Sequence, residues 1–205
     1  MDEGYVKFQS RLQEASSPSA LELKEIVPWR ERLFQLKLIG EYSDGVGFGN
    51  ISVRVDSSRE FIISGTGTGG MASLTSDYYT RVVDCDIDKN RVVCSGKVHA
   101  SSESMTHAAV YGCDASINAV IHVHSKRHWN DLTGRLPTSA PSAKYGTPEM
   151  AREIARLYRD TDFRKEGVMI MGGHEEGMLS FGSTLSEAGE RLLRALAMEK
   201  PKIRI

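Results

Sequence analysis

The chain has 205 residues, 40% of them apolar, and its 26 basic and 27 acidic residues leave a formal charge of -1. This length suits one domain with a sizeable core, and the balanced charge offers no electrostatic footprint for nucleic acid or an anionic membrane, so neither partner is expected. No apolar run is long enough to span a bilayer, and the opening MDEGYVKFQS lacks the basic start and apolar core of a secretion signal, so a cytoplasmic location is expected.

Residues 1–19 are polar and break at Ser16-Ser17-Pro18-Ser19, which predicts an N-terminal arm or short helix ahead of a single domain over residues 20–205. From residue 20 to about 42, Leu21, Ile26, Val27, Trp29, Leu33, Leu36 and Leu38 recur at helical spacing. Pro28 divides this helix or opens its main part, and Gly40 lies near its stop. Residues 45–55 run from a glycine-rich turn into alternating Ile51, Val53 and Val55, a strand; residues 61–64 form a second strand that enters GTGTGG, residues 65–70. Loops of small residues let backbone N–H groups and hydroxyls converge on an oxyanion such as phosphate, although each loop alone reads equally as a plain hairpin turn. GVGFGN leads into a strand and not a helix, which excludes the dinucleotide-binding fingerprint.

Residues 82–86 and 91–94 flank Ile87-Asp88-Lys89-Asn90 as a hairpin, placing Cys85 and Cys94 on strands. With Cys113 these make an odd number without C-x-x-C spacing, so neither a disulfide framework nor a thiolate metal site is expected. In HASSESMTHAAVYG, residues 99–112, Ser101 or Ser102 can cap a helix that carries Glu103 in its first turn and His107 in the next. A helix start of this kind can complete a phosphate cradle beside Glu103; ordinary capping and a helix-surface Glu/His pair explain the same residues.

The stretch AVIHVHS, residues 119–125, ends an apolar strand with two histidines. Alternation puts His122 and His124 on one face, either as a pair of metal ligands or as two satisfied histidines at a sheet end. Residues 126–132 then form a short helix with His128 outward, and residues 134–146 form a loop ending Lys144-Tyr145-Gly146. Thr147 caps an amphipathic helix, TPEMAREIARLYRD, with Pro148 at its first position and Met150, Ile154, Leu157 and Tyr158 on its buried face. A strand at residues 168–171 delivers GGHEEG, where His174 is the natural third ligand; residues 178–181 return as a strand, and residues 184–199 form the last helix.

Taken together and in this order, Gly49-Asn50-Ile51-Ser52-Val53-Arg54, Ser64-Gly65-Thr66-Gly67, Ser101-Ser102-Glu103 with His107, His122-Val123-His124 and the later His174 resemble the class II aldolase/adducin family over about residues 26–196. The resemblance implies a three-layer α/β/α domain on a largely antiparallel sheet, assembled as a homotetramer with active sites between subunits. It implies zinc-dependent chemistry on small phosphorylated ketoses, as in fuculose-phosphate and rhamnulose-phosphate aldolases and ribulose-phosphate 4-epimerase. Carried over by position, His122, His124 and His174 match the ligands of one Zn2+ per subunit, and Glu103 matches the aldolase acid/base. Gly49, Asn50, Thr66, Gly67, Ser101 and Ser102 match the phosphate-binding positions, and Tyr145 falls where the aldolases place an aromatic close to the active site.

The expected function is therefore an aldolase-type lyase working through a metal-stabilised enediolate. The alternatives on the same scaffold are a 4-epimerase, a dehydratase or a decarboxylase, and a non-catalytic adducin-like interaction protein lies further off. Three features depart from the family pattern. Glu175-Glu176 follow His174 where glycine is usual, the loop between His124 and Tyr145 is shorter than in the fuculose-phosphate type and gives no place to the loop tyrosine that donates to the aldehyde half, and residues 202–205 offer no C-terminal aromatic. The identity and stereochemistry of the sugar are not written in the sequence.

Overall fold

The computed structural model describes residues 5–56 and 58–198. In chain order the elements begin with β1 (Gln9–Glu14), α1 (Ala20–Leu23), α2 (Ile26–Gln35), β2 (Gly40–Glu41), β3 (Gly47–Phe48), β4 (Asn50–Arg54) and β5 (Phe61–Ser64). They continue with β6 (Tyr79–Asp86), β7 (Arg91–Gly96), α3 (Ser104–Cys113), β8 (Ala119–His124), α4 (Lys126–Leu132) and α5 (Pro148–Asp160). The last are α6 (Phe163–Glu166), β9 (Val168–Ile170), β10 (Gly177–Gly182) and α7 (Leu185–Leu196).

Eight strands form one sheet in the order β1-β7-β6-β5-β4-β8-β10-β9, while β2 and β3 make a separate hairpin. Among the pairings between these strands, the β1–β7 pairing alone is parallel. Alternation along β8 divides the core. Val120 joins the layer containing Met105, Val110, Met150 and Ile154 of α3 and α5, whereas Ala119, Ile121 and Val123 join Ile26, Leu33, Leu185 and Leu192 of α2 and α7. The outcome is the three-layer, largely antiparallel architecture expected, with β8 buried along its whole length. Among the described residues, no helix is long and apolar enough to cross a membrane.

Four local expectations are corrected. Residues 9–14, expected in an arm or short helix, are a strand: β1 extends the sheet edge beside β7, with Leu12 packed on the core and Gln9 and Arg11 exposed. The helix predicted over residues 20–42 is two helices. Ser19 and Glu22 form a reciprocal capping box at α1, and Pro28 occupies the third position of α2, where its missing N–H is not needed. Lys37 then adopts a left-handed φ of 58°, and Leu38 and Ile39 both donate to Leu33 O (2.9 and 3.3 Å), ending the helical path before Gly40. Glu103 is itself the N-cap position of α3, so Ser101 and Ser102 lie just outside the helix, with Ser101 Oγ accepting from Glu103 N at 3.2 Å. Finally, α6 is an unpredicted turn of helix closed by Gly167 at φ 67°. The last predicted helix ends at Leu196; Glu199 and residues 202–205 lie outside the described residues.

Candidate metal centre and active site

Four elements converge at the C-terminal end of β8. In the sheet register Asn50 of β4 and Leu179 of β10 both oppose His122, and Gly177 opposes His124, so the turn preceding β10 brings His174 over the pair. The ring nitrogens of His122, His124 and His174 include one ligand atom each, all within 4.8 Å of one another, and all three residues are buried.

Hydrogen-bond stereochemistry assigns the protons on two of these rings. His122 Nδ1 lies 3.0 Å from Met178 O, which can only accept, so Nδ1 carries the proton and Nε2 a lone pair. His124 Nδ1 lies 2.7 Å from the Tyr42 hydroxyl, whose single proton is donated to Glu176 Oε2 at 3.0 Å; Tyr42 therefore accepts from His124 Nδ1–H. Two Nε2 lone pairs then face each other at 3.1 Å, an arrangement that requires a proton or a cation between them. Glu103 Oε1 joins the cluster 3.0 Å from His174 Nδ1 and 3.9 Å from His122 Nε2. Three neutral imidazoles with one carboxylate form a donor set that fits a divalent cation.

Burial works to raise the pKa of Glu103, but the facing His122 and the His174 Nδ1 at 3.0 Å outweigh it and hold the carboxyl below the usual carboxylate range. His124 is driven the other way from charge: burial, then the neighbouring His122 and His174, push it well below the ordinary histidine range, leaving it neutral. A charged base and neutral nitrogen donors thus share one buried site.

Glu103 also lines a cavity of about 250 Å³. Gly49, Asn50, Thr66, Gly67, Ser101 and Ser102, the six residues expected around phosphate, all line it. Gly49 has φ +76°, and a Cβ there would stand 2.8 Å from Ile39 Cγ1, so the residue is held to glycine by both conformation and space. The loop after β5 is braced from below by Arg30, which is fully buried on α2 and donates to the carbonyls of Ala72 (2.8 Å), Thr68 (2.8 Å) and Gly69 (3.2 Å). Because C=O and the next N–H point oppositely across a planar peptide, carbonyls drawn to Arg30 turn the N–H groups of Gly69 and Gly70 away from it. Arg30→Met should strand these carbonyls and cost roughly 3 kcal/mol in denaturant unfolding; a loss under about 0.5 kcal/mol would show that the brace is dispensable.

Tyr145, expected close to the site as a substrate contact, is buried with its ring 4.4 Å from that of His174, and its hydroxyl accepts from Tyr5 N at 3.2 Å. Like the three histidines, it is not among the residues lining the cavity, which meets the cluster at Glu103. His107, weighed as a helix-surface partner of Glu103, is instead fully buried, with Nδ1 2.7 Å from Ser52 Oγ, which also lies 2.8 Å from Tyr111 Oη. His128 stays apart, 2.7 Å from Ser125 Oγ.

Burial, then the neighbouring His122, lower the His107 pKa to about 3. Below about pH 6.5 the unfolded chain therefore binds a proton that the folded chain refuses, and stability falls as pH drops toward 3. His107→Gln should flatten the melting-temperature profile across that window; an unchanged slope would rule His107 out as its source.

Sequence reading missed Tyr42, Arg30 and the cavity residue Tyr5, and it noted Glu176 beside His174 without a partner for it. Only Arg30 left a signal: with Ile26 and Leu33 it occupies i, i+4 and i+7 of one helix face, and all three are buried.

Residues 37–129 match the Class II Aldolase and Adducin N-terminal domain, a span holding Glu103, His122 and His124 but not His174. No curated protein sequence matches the chain. Among solved structures, an L-fuculose 1-phosphate aldolase is similar with TM-score 0.65 and 21% identity, covering 87% of this chain and 84% of that one. The L-fuculose-1-phosphate aldolase of Thermus thermophilus has TM-score 0.59 and 23% identity, with 86% of each chain covered. YgbL of Klebsiella pneumoniae, whose description leaves aldolase, epimerase and decarboxylase open, has TM-score 0.62 and 18% identity, covering 90% of this chain and 91% of that one. At these identities the likeness is one of fold.

Proposed function

Proceeding from a chain that has the fold of class II aldolase/adducin proteins and matches their N-terminal domain over residues 37–129, we propose a zinc-dependent aldolase-type lyase acting on a small phosphorylated ketose. The observation that carries this reading is the convergence of three buried imidazoles on Glu103, which also lines a cavity walled by small-residue loops.

His122, His124 and His174 would hold one zinc ion per subunit. When bound, the ion supplies a Lewis acid for the negative charge that develops on substrate oxygens. Gly49, Asn50, Thr66, Gly67, Ser101 and Ser102 take the phosphate through backbone N–H groups and hydroxyls, which fixes the substrate carbon presented to Glu103. Glu103, deprotonated throughout the physiological range, accepts a proton from that chain of atoms or returns it. Tyr145 supports His174. One domain over residues 20–205, a cytoplasmic location and a homotetramer with sites between subunits complete the proposal.

A second reading keeps Glu103 and the ligands but ends in 4-epimerisation, dehydration or decarboxylation. It is favoured by the segment from Ser125 to Lys144, which contains no tyrosine to protonate the aldehyde half. Zinc-loaded protein incubated with dihydroxyacetone phosphate in deuterated water should exchange a proton at the hydroxymethyl carbon, followed by NMR. No exchange with zinc bound would reject the aldolase reading in favour of the second.

A further inference from the structure

We infer that Tyr42 and Glu176 form a positioning relay for His124, fixing its proton on Nδ1 and strengthening Nε2 as a ligand. The ligand half of this inference rests on the metal-centre reading above.

Tyr42 follows β2 and Glu176 precedes β10, and the two meet only beside His124. The His124 ring is held on its face by Phe48, stacked at 5.3 Å between centroids, and by its Nδ1 contact with Tyr42 at 2.7 Å. Tyr42 in turn packs on Phe48, 4.6 Å between centroids, and donates to Glu176 Oε2. The other oxygen of Glu176 faces Lys126 Nζ at 3.8 Å, and its backbone carbonyl accepts from Ser125 N at 2.9 Å, at the end of β8. A carboxylate, a phenol and an imidazole therefore stand in series. A phenol whose proton is drawn toward a carboxylate is a better acceptor, and an imidazole that donates into it gains electron density at its far nitrogen.

The backbone supplies an independent sign. Glu176 has φ 69°, in the left-handed region that favours glycine over a residue with a Cβ. Glycine would make the turn at lower cost, and the side chain retained instead is the one that receives Tyr42. Strain kept at a site with a specific contact points to a role for that contact.

Tyr42→Phe and Glu176→Gly separate this role from a structural one. Competition titration with a chelator should find zinc affinity lowered by about 10- to 100-fold in Tyr42→Phe and by about 10-fold in Glu176→Gly. Melting of the metal-free Glu176→Gly protein should be unchanged or raised, since glycine relieves the left-handed turn. Long-range proton–nitrogen NMR of the metal-free wild type should place the His124 proton on Nδ1, and Tyr42→Phe should give a mixture of tautomers. Wild-type zinc affinity in both variants, or a wild-type His124 protonated on Nε2, would overturn the relay. A wild type that takes up no zinc would bring down the metal-centre reading and the ligand half of the inference, while the tautomer measurement would still decide the other half.

Discussion

Glu103→Gln is expected to keep zinc bound and to slow proton exchange in dihydroxyacetone phosphate by about 10²- to 10⁴-fold, the range that one positioned acid/base contributes. Glutamine preserves the shape of the side chain at the start of α3 but cannot accept a proton near neutral pH. The three imidazoles remain, so the expected zinc content is unchanged. The choice of Glu103 over other carboxylates rests on its environment: it is buried, its oxygen lies 3.0 Å from His174 Nδ1, and it lines the same cavity as the small-residue loops. Glu175 and Glu176 lie nearby in sequence, but the first is exposed and pairs with Lys126 at 3.6 Å, and the second is committed to Tyr42. Exchange at the wild-type rate in Glu103→Gln would remove it from the mechanism. Loss of both exchange and zinc would instead make it chiefly a ligand.

The histidine pair was legible because a strand has period two: His122-Val123-His124 needs no tertiary information to share a face. His174 was legible because an apolar strand precedes it and another follows, so the turn between them must return to the sheet. The cavity-lining residues proposed for phosphate were readable as loops too poor in side chains to block an anion. What escaped is what depends on distant contacts. Leu12 is the only apolar residue of β1, and the strand is recognisable only beside β7, where parallel pairing with Arg91–Gly96 satisfies its backbone. Arg30 reads as a surface charge until the carbonyls of residues 68–72 turn inward to meet it. Tyr42 and Glu176 are 134 positions apart in sequence, and no local pattern could pair them.

His124→Ala should abolish stoichiometric zinc, an effect larger than the about 10- to 100-fold expected from disturbing an outer partner of a ligand. The substitution leaves two imidazoles and Glu103, and removes the nitrogen that stands 3.1 Å from His122 Nε2. Metal-free stability should respond differently from metal binding, because with no ion present the two opposed lone pairs are a burden that alanine relieves. Zinc added to the wild type should raise its melting temperature, since a ligand present at 1,000 times its Kd stabilises by about 4 kcal/mol, whereas His124→Ala should melt at the same temperature with or without zinc. His128→Ala is the matched control: it lies only four residues on, hydrogen-bonds Ser125 and stands outside the cluster, so its zinc response should equal that of the wild type. Stoichiometric zinc in His124→Ala, with the zinc-dependent rise in melting intact, would place the ion elsewhere and return His122 and His124 to the role of histidines satisfied at the end of a strand.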